Sequence, residues 1–236
     1  MLIPTKGIVF KSIKYAESTL ICKIYTQHLG LRTYIVPGAR RSKARNQAAF
    51  LQPLSLVEFV AYEHPHKNMH HLRDLKADVV FSSIPFDVVK SGLALFFAEI
   101  FTKCIHEETE NEALFRFLHQ SIEYLDTTSA TKLSLLPVQV LATLSRHLGF
   151  FPQMNFSAQT PFFDLVEACF LPQSSKHCAD IHTGQLLYDY VEKKIPPASL
   201  KEKQALLNLW INYYQHQIEG FGEVHALAIL RSVFYS

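Results

Sequence analysis

Hydrophobic and polar positions in the first 80 residues alternate over short runs. Lys6–Ile13 and Thr19–Thr26 are rich in β-branched and aromatic residues, and Leu31–Val36 alternates in polarity. Leu54–Tyr62 and Leu72–Val80 continue the pattern. Turn signals separate these strands: Tyr15–Ser18, His28-Leu29-Gly30 with a glycine free to take positive φ, and Pro37-Gly38. Beyond Pro85 the period becomes helical. Val88, Val89, Leu93, Phe96, Phe97, Ile100 and Phe101 recur at three- and four-residue steps. Asn111–Leu125, Ala130–Leu148, Gly184–Glu192, Leu200–Gly220 and His225–Phe234 read as further helices. Pro137 either kinks the Ala130–Leu148 helix or marks its true first turn, and Gly149 and Pro152 stop it. Gln153–His182 follows neither period and reads as irregular.

This pattern predicts an α+β protein. Five short strands fit a small, partly open Greek-key β-barrel of the OB type, with an SH3-like barrel fitting the strand count nearly as well. An all-helical C-terminal domain follows. The change of period around Pro85 divides the chain into residues 1–80 and 81–236.

Composition sharpens that division. Of 236 residues, 48% are hydrophobic and 19% charged, the balance of a packed globular chain. The net charge of +2 hides an asymmetry: residues 1–80 hold twelve basic and five acidic residues, while residues 81–236 hold eleven and sixteen. The front third therefore carries about +7 and suits a polyanion, and the rest carries about −5. Cys22, Cys104, Cys169 and Cys178 form no C-x-x-C pair and fit reduced thiols in a cytoplasm. No secretory signal opens the chain. Ser91–Ile105, the nearest thing to a spanning segment, is too short and holds Glu99 and Lys103, so no membrane association is expected.

The sharpest local feature is Arg40-Arg41-Ser42-Lys43-Ala44-Arg45, with no acidic residue from Val36 to Leu51. Arg40, Arg41, Lys43 and Arg45 on a barrel loop can follow a phosphate backbone and gain entropy from released counterions. A solvated loop without a ligand has the same local sequence. The basic, aromatic domain around it favours nucleic acid. Tyr34, with Phe10, Tyr25 and Phe59, offers faces on which unpaired bases could stack, although alternation along barrel strands sends half or more of such residues inward. His64, His66, His70 and His71 crowd a second loop without a carboxylate companion, which favours a polar hairpin loop over a metal site. Cys169, His177, Cys178 and His182 combine thiol and imidazole, but lack the closely paired cysteines of structural zinc. No G-x-S-x-G, G-x-x-x-x-G-K or G-x-G-x-x-G occurs, so neither an enzyme nor a cofactor is expected.

Three pieces of the front domain resemble the RecO family of bacterial recombination mediators: GIVFKSIKYAESTLICKIYTQHLGL, YIVPGARRSKAR and FLQPLSLVEF. The matching positions are Glu17-Ser18, Thr26 with Gly30, Gly38-Ala39-Arg40 with Lys43, and Leu51-Gln52-Pro53. The back half matches more loosely, through Leu148-Gly149-Phe150 and Pro152. The resemblance implies an N-terminal OB-fold, a helical C-terminal domain, binding of single- and double-stranded DNA, and strand annealing. It also implies partnership with RecR and with the C-terminal tail of single-stranded-DNA-binding protein in loading RecA. An acidic, apolar tail needs an apolar groove with a cation at its rim, which points to Lys132, Arg146 and Val140 on or beside one helix. Many family members carry two C-x-x-C pairs after the L-G-[FY]-x-P segment. Residues 155–184 keep only Cys169 and Cys178, so the family's zinc is not expected, and Phe162, Phe163, Leu165, Phe170 and Leu171 are expected to replace it as the local staple. Two other readings stand beside this one: a generic single-strand RNA- or DNA-binding OB protein with a helical oligomerisation domain, and an enzyme without a short motif.

Overall fold

The computed structural model describes residues 1–39, 45–64 and 67–234, apart from the side chains of Arg45, Asn46 and Phe234. Its strands are β1 (Leu2–Lys14), β2 (Leu20–Thr26), β3 (Gly30–Val36), β4 (Leu56–Tyr62) and β5 (His71–Ala77). They form one antiparallel sheet in the order β3-β2-β1-β4-β5. The expected α+β class and OB-like sheet are present, but the ladder does not close into a full barrel. Among the described residues β3 meets the start of β5 through a parallel bridge between Tyr34 and His70, with Ile35 N–H donating to His70 O at 2.9 Å and His70 N–H to Thr33 O at 2.9 Å. Alternation along the strands sends Val9, Cys22, Ile24, Tyr34, Val57 and Phe59 into one buried core.

The helices are α1 (Arg45–Phe50), α2 (Val88–Cys104), α3 (Glu112–Thr127), α4 (Leu136–His147), α5 (Ile181–Val191), α6 (Leu200–Gln217) and α7 (Ala226–Phe234). Short polar side chains begin several of them. Asp87 accepts from Val89 N and Lys90 N, Asn111 from Leu114 N, and Asp180 from Thr183 N. Ser199 and Glu202 form a reciprocal capping box at α6. Pro137 proves to be a first-turn residue, so α4 starts at Leu136, and Ala130–Lys132 is a separate 3-10 turn. Two elements depart from expectation. The polar stretch after Val36 leads into the short helix α1. The supposedly irregular Gln153–His182 contains a two-stranded hairpin, β6 (Phe162–Asp164) and β7 (Cys169–Leu171).

The chain forms two compact units, Met1–Ala130 with His225–Val233, and Thr131–Val224. The switch from strand to helix near Pro85 is thus not where the units part: α2, α3 and α7 belong with the sheet. Phe10 and Tyr25 on the sheet pack against Phe101 of α2 and Phe115 of α3. Glu99 of α2 accepts from His225 N at 3.0 Å and Ala226 N at 2.7 Å, satisfying the open amides at the start of α7. In the second unit Phe163 and Phe170 of the hairpin meet Tyr213 and Tyr188 of the helices.

Candidate nucleic-acid interface

Arg40, Arg41 and Lys43 lie outside the described residues, and so does the side chain of Arg45, which opens α1. What the structure describes is the anchoring on both sides. Ala39 and Leu51 are both fully buried, and Ser12 Oγ donates to Leu51 O at 2.5 Å, fastening the start of the Leu51-Gln52-Pro53 turn to β1. Gly38 sits at φ 73°, a conformation glycine adopts without steric cost.

Tyr34 is a correction. It is fully buried, against Phe59 at 5.2 Å, and its hydroxyl donates to Glu63 at 3.4 Å. Burial and the Glu63 carboxylate push the phenol well above its ordinary range. Phe10, Tyr25 and Phe59 are also buried, so none of the four offers an open ring to a base. Strand alternation turned Tyr34 and Phe59 into the sheet's core, while Phe10 and Tyr25 lie on the opposite face and are covered by Phe101 and Phe115 of the helices.

The remaining motif positions are structural. Thr26 is buried, accepts from Leu29 N at 3.0 Å and donates to Gly30 O at 2.9 Å, tying the β2–β3 turn. Gly30 lies at φ 68°, where a Cβ would meet Thr109 O at 2.4 Å. His70 is buried beside Glu63, and His64 lies on Tyr62 at 4.7 Å; His66 is outside the described residues.

In the second unit, Arg146 and Lys194 stand at a cleft of about 410 Å³ whose apolar lining includes Leu135, Ala142, Val191 and Pro196. The Arg146 guanidinium lies over the Phe151 ring, 3.3 Å from its centroid. The sequence-based groove is corrected in part. Val140 is 2% exposed and faces the core, and Lys132, though exposed, does not line the cleft. Lys194 was missed because it follows α5 at φ 59°, far along the chain from Arg146.

Cys169, His177, Cys178 and His182 do not converge. Among the described residues no three His, Cys, Asp or Glu side chains are placed to hold a metal ion. Two other tight turns hold this region. Ser157 Oγ and Thr160 Oγ1 lie 2.8 Å apart, and buried Asp164 accepts from Ser175 Oγ and from Cys178 Sγ at 3.7 Å. Around them Phe163 and Phe170 are buried, with Phe162 and Leu171 half-buried. No described helix is long and apolar enough to cross a membrane.

An OB-like antiparallel sheet with an excess of positive charge, followed by helices, is an arrangement suited to contact with a polyanion. Profiles described as recombination protein O N terminal and recombination protein O C terminal match residues 1–78 and 85–221. The DNA repair protein RecO of Flavobacterium psychrophilum is 33% identical over 240 residues, covering 99% of this chain and all of the relative. Those of Christiangramia forsetii and Bacteroides fragilis are each 32% identical with the same coverage. The chain belongs to the RecO family.

Proposed function

We propose that this protein is a cytoplasmic recombination mediator with no catalytic activity of its own. It binds single- and double-stranded DNA, anneals complementary strands and, with RecR, loads RecA onto DNA coated by single-stranded-DNA-binding protein. The observation that carries this reading is the match to RecO proteins along 99% of the chain, supported by the concentration of positive charge in residues 1–80. Residues 1–80 serve as the nucleic-acid-binding part and residues 81–236 as the helical part. The test is strand annealing with and without single-stranded-DNA-binding protein. Annealing that persists on coated strands is expected. Equal affinity for RNA with no annealing would instead mark a generic single-strand binder.

Arg40, Arg41, Lys43 and Arg45 contact the phosphate backbone in this reading. Such contacts carry little sequence information, which suits action on any broken DNA. Changing all four to alanine should weaken binding to all sequences alike. On single strands it should flatten the salt dependence by roughly 0.7 per lost contact, about 3 in all. If affinity and slope survive while RecR binding fails, the loop serves RecR and not DNA.

The cleft with Arg146 and Lys194 at its rim takes the C-terminal tail of single-stranded-DNA-binding protein, the cations meeting its carboxylates and the apolar floor its side chains. Arg146→Glu with Lys194→Glu should abolish tail-peptide binding. Unchanged affinity of the peptide for this double variant would remove the tail from this cleft.

A further inference from the structure

On its outer face the sheet is covered by α2 and α3 at one end, where Phe10 and Tyr25 meet Phe101 and Phe115. The other end is open. The β1–β2 register shifts between Val9 and Lys11, and beyond the shift Ser12 faces the core, with its Oγ 3.1 Å from the Sγ of buried Cys22. Lys11 and Ile13 therefore point outward, and the next alternate position is Tyr15. Across the ladder Lys11 stands opposite Lys23 and Ile13 opposite Ile21. On β3, Thr33 and Ile35 complete the rows.

Two features single out this patch. Lys11 and Lys23 are both exposed and directly opposite one another, a placement in which like charges repel. Neither forms an ion pair with a described residue, whereas Lys6 pairs with Asp78, Arg32 with Glu63 and Lys76 with Glu58. No acidic residue occupies the outward positions of these three strand ends; Glu17 lies in the turn beyond Tyr15. Beside the lysines, Ile13 is 47% and Tyr15 66% exposed, so an apolar ledge and an open aromatic ring adjoin concentrated positive charge.

We propose that this face binds single-stranded nucleic acid, with phosphate held between Lys11 and Lys23 and bases laid over Ile13 and stacked on Tyr15. A duplex hides its bases, so the ring contributes to single strands alone, while the lysines serve any phosphate backbone. The site rests on the DNA-binding reading above and is separate from the loop of residues 40–45. It supplies the stacking surface that buried Tyr34 does not.

The full-length protein is tested with a fluorescent oligothymidylate and a duplex of equal length, by anisotropy over a salt series. Lys11→Gln with Lys23→Gln should lower the single-strand salt slope by about 1.4, at roughly 0.7 per contact. Tyr15→Ala should weaken single-strand binding about tenfold and leave duplex binding unchanged, with Tyr15→Phe restoring it. All three side chains are exposed, so thermal melting should confirm an intact fold. Loss of affinity in the residue 40–45 variant but not in these variants overturns the proposal and leaves the DNA reading standing. Absence of DNA binding by the unaltered protein would remove the DNA reading itself. Unchanged DNA affinity with lost binding of an acidic protein partner would assign the face to that partner and overturn the proposal.

Discussion

Asp126 in the first unit and Tyr214 in the second each fasten a stretch of backbone to a helix, with opposite chemistry. The buried Asp126 carboxylate accepts from Ser82 N, Ser83 N and Ile84 N at 2.8–2.9 Å and from the Ser82 and Ser83 hydroxyls. Buried Lys90 completes the knot, donating to Ser83 Oγ and Asp126 O at 2.6 Å. Burial alone would raise the Asp126 carboxyl, but the amide and hydroxyl donors outweigh it and hold the group at about 2. Tyr214 instead donates a neutral hydroxyl to Leu141 O at 2.7 Å, and neighbouring Tyr213 donates to Phe150 O. Burial pushes the Tyr213 phenol up, so it keeps its proton. The first unit thus answers to pH at its joints, and the second rests on rings and neutral donors. Exceptions there are the cap carboxylates Asp180 and Glu202, held low by their hydrogen bonds, and Asp164. Burial would raise Asp164 too, but Ser175, the Glu167 and Val166 amides and Cys178 hold it low.

The largest effect should come from the neutral side. Trp210 is 1% exposed and packs on Tyr213, Tyr214 and Phe151. Trp210→Ala should cost about 3–5 kcal/mol, nearly constant from pH 5 to 8, in denaturant titrations. A strong pH dependence of that loss would break the contrast. Next is Gly30→Ala, which meets both a left-handed backbone and the Thr109 carbonyl and should cost at least about 2 kcal/mol in the same titrations.

Asp126→Asn should cost about 2 kcal/mol near neutral pH, the worth of a carboxyl lowered from 3.8 to about 2. Because the folded value is depressed, this contribution is complete above the ordinary carboxylate value. It fades as pH falls through about 2, so the variant and the parent should converge in acid. Parallel melting curves down to pH 2 would instead show that the carboxylate charge contributes nothing.

A smaller effect belongs to Asp78, which takes Lys6 Nζ at 2.6 Å and His119 Nε2 at 2.7 Å. Burial would raise its carboxyl, and these two partners turn the balance downward. The other His119 nitrogen meets Glu123 Oε2 at 3.1 Å. Asp78→Asn should destabilise by about 1 kcal/mol, measured by chemical denaturation at pH 6. The smallest expected effect is that of chelators. The Ser157–Thr160 and Asp164–Ser175–Cys178 contacts hold the hairpin region with hydroxyls and a carboxylate, so EDTA should leave Tm unchanged. Stoichiometric zinc by elemental analysis would overturn that.

Period carried most of the fold. Leu93, Phe96, Phe97, Ile100 and Phe101 are all buried on α2, and Lys6–Ile13 falls within β1, because burial of a regular element imposes a repeat that sequence displays. Val88, at the start of the same pattern, is 71% exposed, whereas Lys90 in the same turn is buried. The β6–β7 hairpin was illegible because strands of three residues are too short to show alternation. The cleft cations were half legible. Arg146 lies on a helix with visible period, whereas Lys194 reaches the cleft by a tertiary approach that no local pattern announces. Tyr34 shows the opposite failure: its residue type suited a base, and its strand parity suited the core.

The thirteen-residue strand β1 serves two ladders that are completed at different moments of synthesis. Its later part, Gly7–Lys14, pairs with Leu20–Thr26, which leave the ribosome directly after it, whereas Leu2–Ile8 pairs with Leu56–Tyr62, made much later. During that interval one flank of β1 is an unsatisfied edge, able to recruit a strand from another nascent chain. Slower synthesis of the segment from β3 to β4 should therefore lengthen the time for which that edge is open to pairing with another chain.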